Sequence, residues 1–186
     1  MSSVRIRKRK GLPHWEADAA IYFVTFRLAD SLPQSAISAL ELSRGSGADE
    51  ERRKFREAES WLDGGVGACH LRKTEVAELV AEALRKFDDY RYRLFAWCIM
   101  PNHVHSVFQP YAPYQLASIL HSWKSYTALY ANRLLSRGGA FWQREYYDHL
   151  IRDGNQLGKA IRYTAENPVR AQLRNWKWIY VAKDWT

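Results

Sequence analysis

The sequence predicts an α+β fold: one antiparallel sheet in the split βαβ order of ferredoxin-like proteins, with helices on one face and an extra helical insertion. Three observations lead there. Four short runs are rich in β-branched and aromatic residues, and two of them are close enough to form a hairpin. Between them lie segments whose apolar residues recur at helical spacing. The order is strand, helices, strand, strand, helix, strand, helix, without internal repeats or low-complexity stretches. At 186 residues the chain reads as one domain over 1–186, large enough for a real core.

The elements follow in order. Residues 1–12 read as a basic, solvated arm, because Val4-Arg-Ile-Arg-Lys-Arg-Lys10 lacks the apolar core of a signal peptide. Ile21 to Leu28 is a strand, stopped by Asp30-Ser-Leu-Pro33. Residues 34–42 and 49–62 favour helix, and Asp63-Gly-Gly-Val-Gly67 breaks the second. Residues 34–66 therefore form a helical elaboration on the fold. Thr74 suits an N-cap, and Val76, Leu79, Val80, Ala83, Leu84 and Phe87 make the stripe of the helix behind it. Tyr92 to Ile99 and His103 to Gln109 are strands joined by Met100-Pro-Asn102. Gln115 to Leu135 is a long amphipathic helix, with Trp123 on its core stripe. Arg144 to Arg152 is the fourth strand, and Asp153 caps a last helix that stops near Pro168.

Composition narrows the partner. With 28 Lys and Arg against 20 Asp and Glu, the chain favours a polyanion, most often nucleic acid. Eight Trp and eleven Tyr add rings on which unpaired bases stack. Two cysteines form no disulfide framework and fit a reducing cytosol. No apolar run approaches membrane-spanning length.

The chemistry gathers in two places. His103 and His105 flank Val104 on a strand, so both imidazoles project from one face. That is a natural ligand pair for one divalent metal. On the last helix Leu157, Ile161, Thr164 and Ala165 form the buried stripe at about 100° per residue. Tyr163 falls outside that stripe, and Asn167 follows it at i+4, although Pro168 pushes Asn167 away from helical geometry. A phenol is a poor nucleophile at neutral pH and needs help. A cation held by His103, His105 and the Asn167 oxygen would polarise a scissile phosphate for Tyr163. Open coordination positions favour Mg²⁺ or Mn²⁺, although imidazole also suits zinc. Arg7, Lys8, Arg9 and Lys10 of the arm, with Lys124, Arg144, Arg152, Lys159 and Arg162, are candidate phosphate contacts. Tyr146 and Tyr147 are rival nucleophiles in a strand-like run, and Cys98 a rival ligand that reads as a buried strand residue. His149 either reaches the site or packs; His70 and His121 read as incidental.

The segments Met100-Pro-Asn-His-Val-His105, Trp142-Gln-Arg-Glu-Tyr-Tyr-Asp-His-Leu-Ile-Arg152 and Tyr163-Thr-Ala-Glu-Asn-Pro-Val169 resemble the REP-associated tyrosine transposases of the single-tyrosine HUH superfamily. Gly11-Leu-Pro-His-Trp15, Tyr22-Phe-Val-Thr-Phe26 and Ser122-Trp-Lys-Ser125 extend the resemblance over nearly the whole chain. It implies an enzyme that cleaves single-stranded DNA next to short imperfect hairpins and joins strands through a 5′-phosphotyrosine. His103 and His105 would be its metal ligands, Tyr163 its nucleophile, and Asn167 a polar ligand or orienting group. The setting it implies is bacterial, cytoplasmic and nucleoid-associated, with the protein a monomer or homodimer. Thr164 stands where the family more often has Ile, and Gln172 where Gly is common. Two other readings remain: a catalytically silent module that binds hairpin DNA, and a zinc-dependent hydrolase using His103 and His105.

Overall fold

A computed structural model describes residues 5–8, 13–16, 20–33, 35–36 and 48–185. The helix expected over 34–42 lies outside these, residues 35–36 apart. At the N-terminus Arg5–Lys8 (β1) pairs antiparallel with Pro13–Glu16 (β2) as a separate hairpin, with Ile6 opposite Trp15. This part of the expected solvated arm is therefore a strand, its backbone groups satisfied by a partner rather than by water. Arg9 and Lys10, and the side chains of Arg7 and Lys8, fall outside what the structure describes.

The main sheet holds Ile21–Arg27 (β3), Tyr92–Ile99 (β4), His103–Pro110 (β5), Tyr147–Ile151 (β6) and Ile179–Val181 (β7). Their order across the sheet is β6-β3-β5-β4-β7, and every neighbouring pair is antiparallel. The first four strands thus have the split βαβ arrangement, with β5 inserted between β3 and β4, and β3 between β5 and β6. β7 is a fifth strand beyond the expected four, added at the β4 edge. The expected hairpin is present, closed where the Met100 N–H donates to the His103 carbonyl at 2.8 Å.

The helices among the described residues are Ala48–Asp63 (α1), Thr74–Arg85 (α2), Leu116–Leu134 (α3) and Gly154–Arg170 (α4). Thr74 is the first residue inside α2 and Lys73 stands at the cap, without a side-chain bond. α2 and α3 cover one sheet face. There Val80, Leu84, Ile119, Leu120 and Trp123 pack on Tyr22, Val24, Phe26, Val104 and Phe108. The Trp123 indole donates to the Tyr92 hydroxyl at 2.9 Å, and that hydroxyl donates to the Leu84 carbonyl at 2.8 Å. Trp142 likewise finds Thr127 Oγ1 at 2.8 Å, so both rings are core.

Helices on one face describes α2 and α3 only. Phe23, Phe95, Val107 and Ile151 make the opposite face apolar too, and Leu157 and Ile161 of α4 cover it, with Phe55 of α1 against the same cluster. A β-bulge between Leu94 and Ala96 contributes here, because it lets both Phe95 and Ala96 join this second cluster. No helix among the described residues is long and apolar enough to cross a membrane.

Candidate active site

The second sheet face carries the two histidines. β5 alternates Val104 and Phe108 into the α2–α3 core, so His103 and His105 point the other way. Both are 0% exposed. Their Nε2 atoms face each other at 2.9 Å. Each Nδ1 has its own partner: Asn102 Oδ1 for His103 and Thr25 Oγ1 for His105, both at 2.8 Å. Thr25 stands directly opposite His105 on β3, and the Asn102 amide in turn donates to the Val66 carbonyl at 2.9 Å. Partners on Nδ1 leave both Nε2 atoms aimed at one point.

α4 brings the other groups. Asp153 caps it, accepting from the Gln156 N–H at 2.8 Å, as its sequence position predicts. The helix runs through Pro168 to Arg170 rather than stopping before the proline. Asn167 is therefore helical, and at 1% exposure it is buried with its carboxamide facing His105. Its Oδ1 has no hydrogen-bond partner. Tyr163 is half-buried and not a surface residue. Its ring packs edge-on to Phe23 and to His105, each 5.6 Å away between centroids. The Arg170 guanidinium lies 5.0 Å over the same ring. Thr164 is buried, its hydroxyl returned to the Ala160 carbonyl at 2.8 Å.

A carboxylate from α1 completes the group. Glu59 is 6% exposed; its Oε2 accepts from the Tyr163 hydroxyl and lies 3.5 Å from His105 Nε2. Its Oε1 has no partner. Burial pushes the Glu59 carboxyl up to about 8, with the Tyr163 hydrogen bond opposing. Burial lowers His103 well below the usual imidazole range, with His105 adding to it. Burial, then the Arg170 charge, lowers His105 to about 3. Both imidazoles are thus neutral at neutral pH, the form that ligates metal. Burial and the neighbouring Glu59 raise the Tyr163 phenol above its ordinary range.

These residues fit a divalent cation. One ligand atom each from Glu59, His103 and His105 lies within 4.8 Å of the others. Two nitrogens 2.9 Å apart suit ligands at right angles on an ion about 2.1 Å away. The two orphaned buried oxygens, on Glu59 and Asn167, are the acceptors such an ion would satisfy.

The other expected residues divide. Lys124 does not present a free ammonium: Nζ donates to the Gln143 and Arg144 carbonyls, each at 2.7 Å, and burial lowers it to about 8. Arg144, Arg152, Lys159 and Arg162 are exposed, the last three along α4 and its entry. Tyr147 stacks on Phe55 at 4.1 Å, and Tyr146 packs against the α2–α3 core with Lys124 near its ring. His149 stands opposite Phe23, two residue pairs beyond the Tyr147–Thr25–His105 row. Cys98 is buried opposite His105, its thiol 3.6 Å from Met100 Sδ and outside the candidate metal group. His70 stacks on Phe141, and His121 lies near Ser125.

Glu59 and Arg170 are site residues outside the sequence motifs, and Thr25 and Asn102 lie within motifs that give them no role. A signal exists for Glu59: it lies at i+4 from Phe55 and three before Leu62, on the apolar stripe of α1, where a carboxylate is out of place.

Residues 70–167 match the family model described as Transposase IS200 like. A Haemophilus influenzae protein described as a REP-associated tyrosine transposase is 29% identical over 110 aligned residues, 53% of this chain and 58% of that one. The chain thus spans little more than half of that relative's length. A solved structure titled as a REP-associated tyrosine transposase bound to a REP hairpin superposes with a TM-score of 0.53. It is 13% identical, covers 93% of this chain and 80% of its own, and shares the fold.

Proposed function

We propose, from the premise that this chain belongs to the IS200-like transposase family, that it cleaves single-stranded DNA beside short imperfect hairpins and rejoins strands through a 5′-phosphotyrosine. The observation that carries this reading is the meeting of Tyr163, His103, His105 and Asn167, from two distant segments, on one buried sheet face. The hairpin substrate is supported by the structurally similar protein that was solved bound to a REP hairpin.

In this mechanism His103, His105 and the Asn167 oxygen would hold Mg²⁺ or Mn²⁺. Bound there, such an ion would supply Lewis-acid polarisation of the scissile phosphate and offset its developing charge. Phe23 and the His105 ring fix the Tyr163 ring in place. The Tyr163 oxygen attacks phosphorus, and the bond from phosphorus to the 3′ oxygen breaks. A cation beside Glu59 would keep its carboxyl ionised, so the phenolic proton would leave along its hydrogen bond to Glu59, and the departing 3′ oxygen would take a proton from water to end as a hydroxyl. Arg170, over the phenol ring, supplies positive charge beside the attacked phosphate. The phosphotyrosine conserves the bond energy, so a later 3′-hydroxyl reverses the step and joins strands. Exposed Arg152, Lys159 and Arg162 track the DNA backbone.

The test is a denaturing gel with hairpin-bearing single-stranded DNA and Mn²⁺. The 3′-labelled fragment is expected to migrate with the protein, and to stop doing so in Tyr163→Phe and His103→Ala. Cleavage without an adduct, persisting in Tyr163→Phe, would overturn the tyrosine mechanism in favour of an activated water.

A further inference from the structure

We infer that Glu59 is itself a ligand of the active-site cation, so that α1, outside the family-matched residues 70–167, supplies part of the metal centre of this chain. The inference rests on the metal-dependent reading above and adds a carboxylate to its ligand set.

Geometry carries it. The Glu59 carboxylate reaches the space between the imidazoles: Oε2 is 3.5 Å from His105 Nε2, and the ligand atoms of the three residues lie within 4.8 Å of one another. Without a cation the arrangement is poorly satisfied. The two imidazole nitrogens 2.9 Å apart share a hydrogen bond, but Glu59 Oε1 and Asn167 Oδ1 are buried without partners. Polar groups removed from water are normally paired, and a buried carboxylate is costly unless a cation meets it. One divalent ion would engage all four residues. It would also explain why α1, a mostly charged helix, turns a glutamate inward. Position matters as well. The α1 cover is fixed by the Phe55–Tyr147 stack, which sets Glu59 over the histidines. The same carboxylate holds the Tyr163 hydroxyl, so ligand and nucleophile share one group. A carboxylate oxygen added to the two imidazoles suits Mg²⁺ or Mn²⁺, the ions of the reading above.

Calorimetric titration of Mn²⁺ into the full chain tests this, comparing wild type with Glu59→Gln and His103→Ala. Wild type is expected to bind one ion. His103→Ala should lose it, and Glu59→Gln should bind about tenfold more weakly or worse. The metal-free melting temperature of Glu59→Gln should equal or exceed wild type, because the change removes a buried carboxylate. Glu59→Gln binding Mn²⁺ as tightly as wild type, while His103→Ala does not, would overturn the inference and leave the metal-dependent reading standing. Wild type binding no Mn²⁺ would overturn both. Should Glu59→Gln fail to fold, pulsed EPR of Mn²⁺-loaded wild type carrying ¹³C-carboxyl glutamate reads the same contact. A ¹³C hyperfine coupling is expected, and its absence would overturn the assignment.

Discussion

Thr25 lies in the Tyr22–Phe26 run, whose pattern marks it only as a strand residue, yet its Oγ1 holds Nδ1 of His105 at 2.8 Å. Orienting partners of metal-binding histidines tune affinity by about 10–100-fold. Thr25→Val keeps the β-branched shape and removes that bond. Mn²⁺ affinity is expected to fall about tenfold with the fold intact, and an unchanged titration would show that the ring needs no such partner. The contrast between Thr25 and the histidines explains what the sequence reveals. His103 and His105 declare themselves by spacing, because two residues apart on a strand means one face. Tyr163 and Asn167 declare themselves by their place on a helix. Thr25 and Glu59 reach the site through strand pairing and helix docking over long sequence separations, and the out-of-place carboxylate on the apolar stripe of α1 marks Glu59 without saying what it meets.

The last helix repeats this lesson in its backbone. Its start was legible, since Asp153 is an N-cap by type and position. Replacing it with Ala is expected to cost about 1 kcal/mol in denaturant melts. Its end was not, because Pro168 reads as a stop. The chain instead passes the proline and closes with paired bonds: Leu173 N–H donates to the Pro168 carbonyl and Gln172 N–H to the Val169 carbonyl. That closure needs a left-handed residue, and Gln172 supplies it at φ 56°. Gln172→Gly removes the strain and is expected to stabilise by about 1 kcal/mol in the same melts. No gain would mean that the glutamine side chain compensates. β7 escaped notice for a different reason. Three residues are too few for a clear alternating pattern, and the strand exists because the β4 edge receives it. α4 settles on the second sheet face because Phe23, Phe95 and Val107 make that face apolar as well, a property of the assembled sheet.

Stability of the metal-free molecule should record the buried site as a function of pH. His103 and His105 stay neutral when folded, whereas the unfolded imidazoles protonate below pH ~6.5. The unfolded chain then binds more protons, so stability falls as pH drops through that value. Glu59 acts oppositely: the folded carboxyl keeps its proton up to about 8 while the unfolded one loses it near 4.5. Stability therefore also falls as pH rises toward 8. At about 1.4 kcal/mol per proton per pH unit, the three groups place the maximum near pH ~6.5, with losses of about 1 kcal/mol by pH ~5.5 and ~8. Chemical denaturation with EDTA checks this, and Glu59→Gln is expected to abolish the alkaline decline. If that decline survives, another group causes it. A last consequence lies in where the histidines ride. β5 is laddered on both sides, while Tyr163 and Glu59 sit on separate helices laid over it. A DNA strand can reach imidazoles that solvent does not touch once part of that cover shifts. Strands at the centre of a sheet open last. The protein can therefore breathe wide enough to admit its substrate with the two imidazoles still held by the sheet.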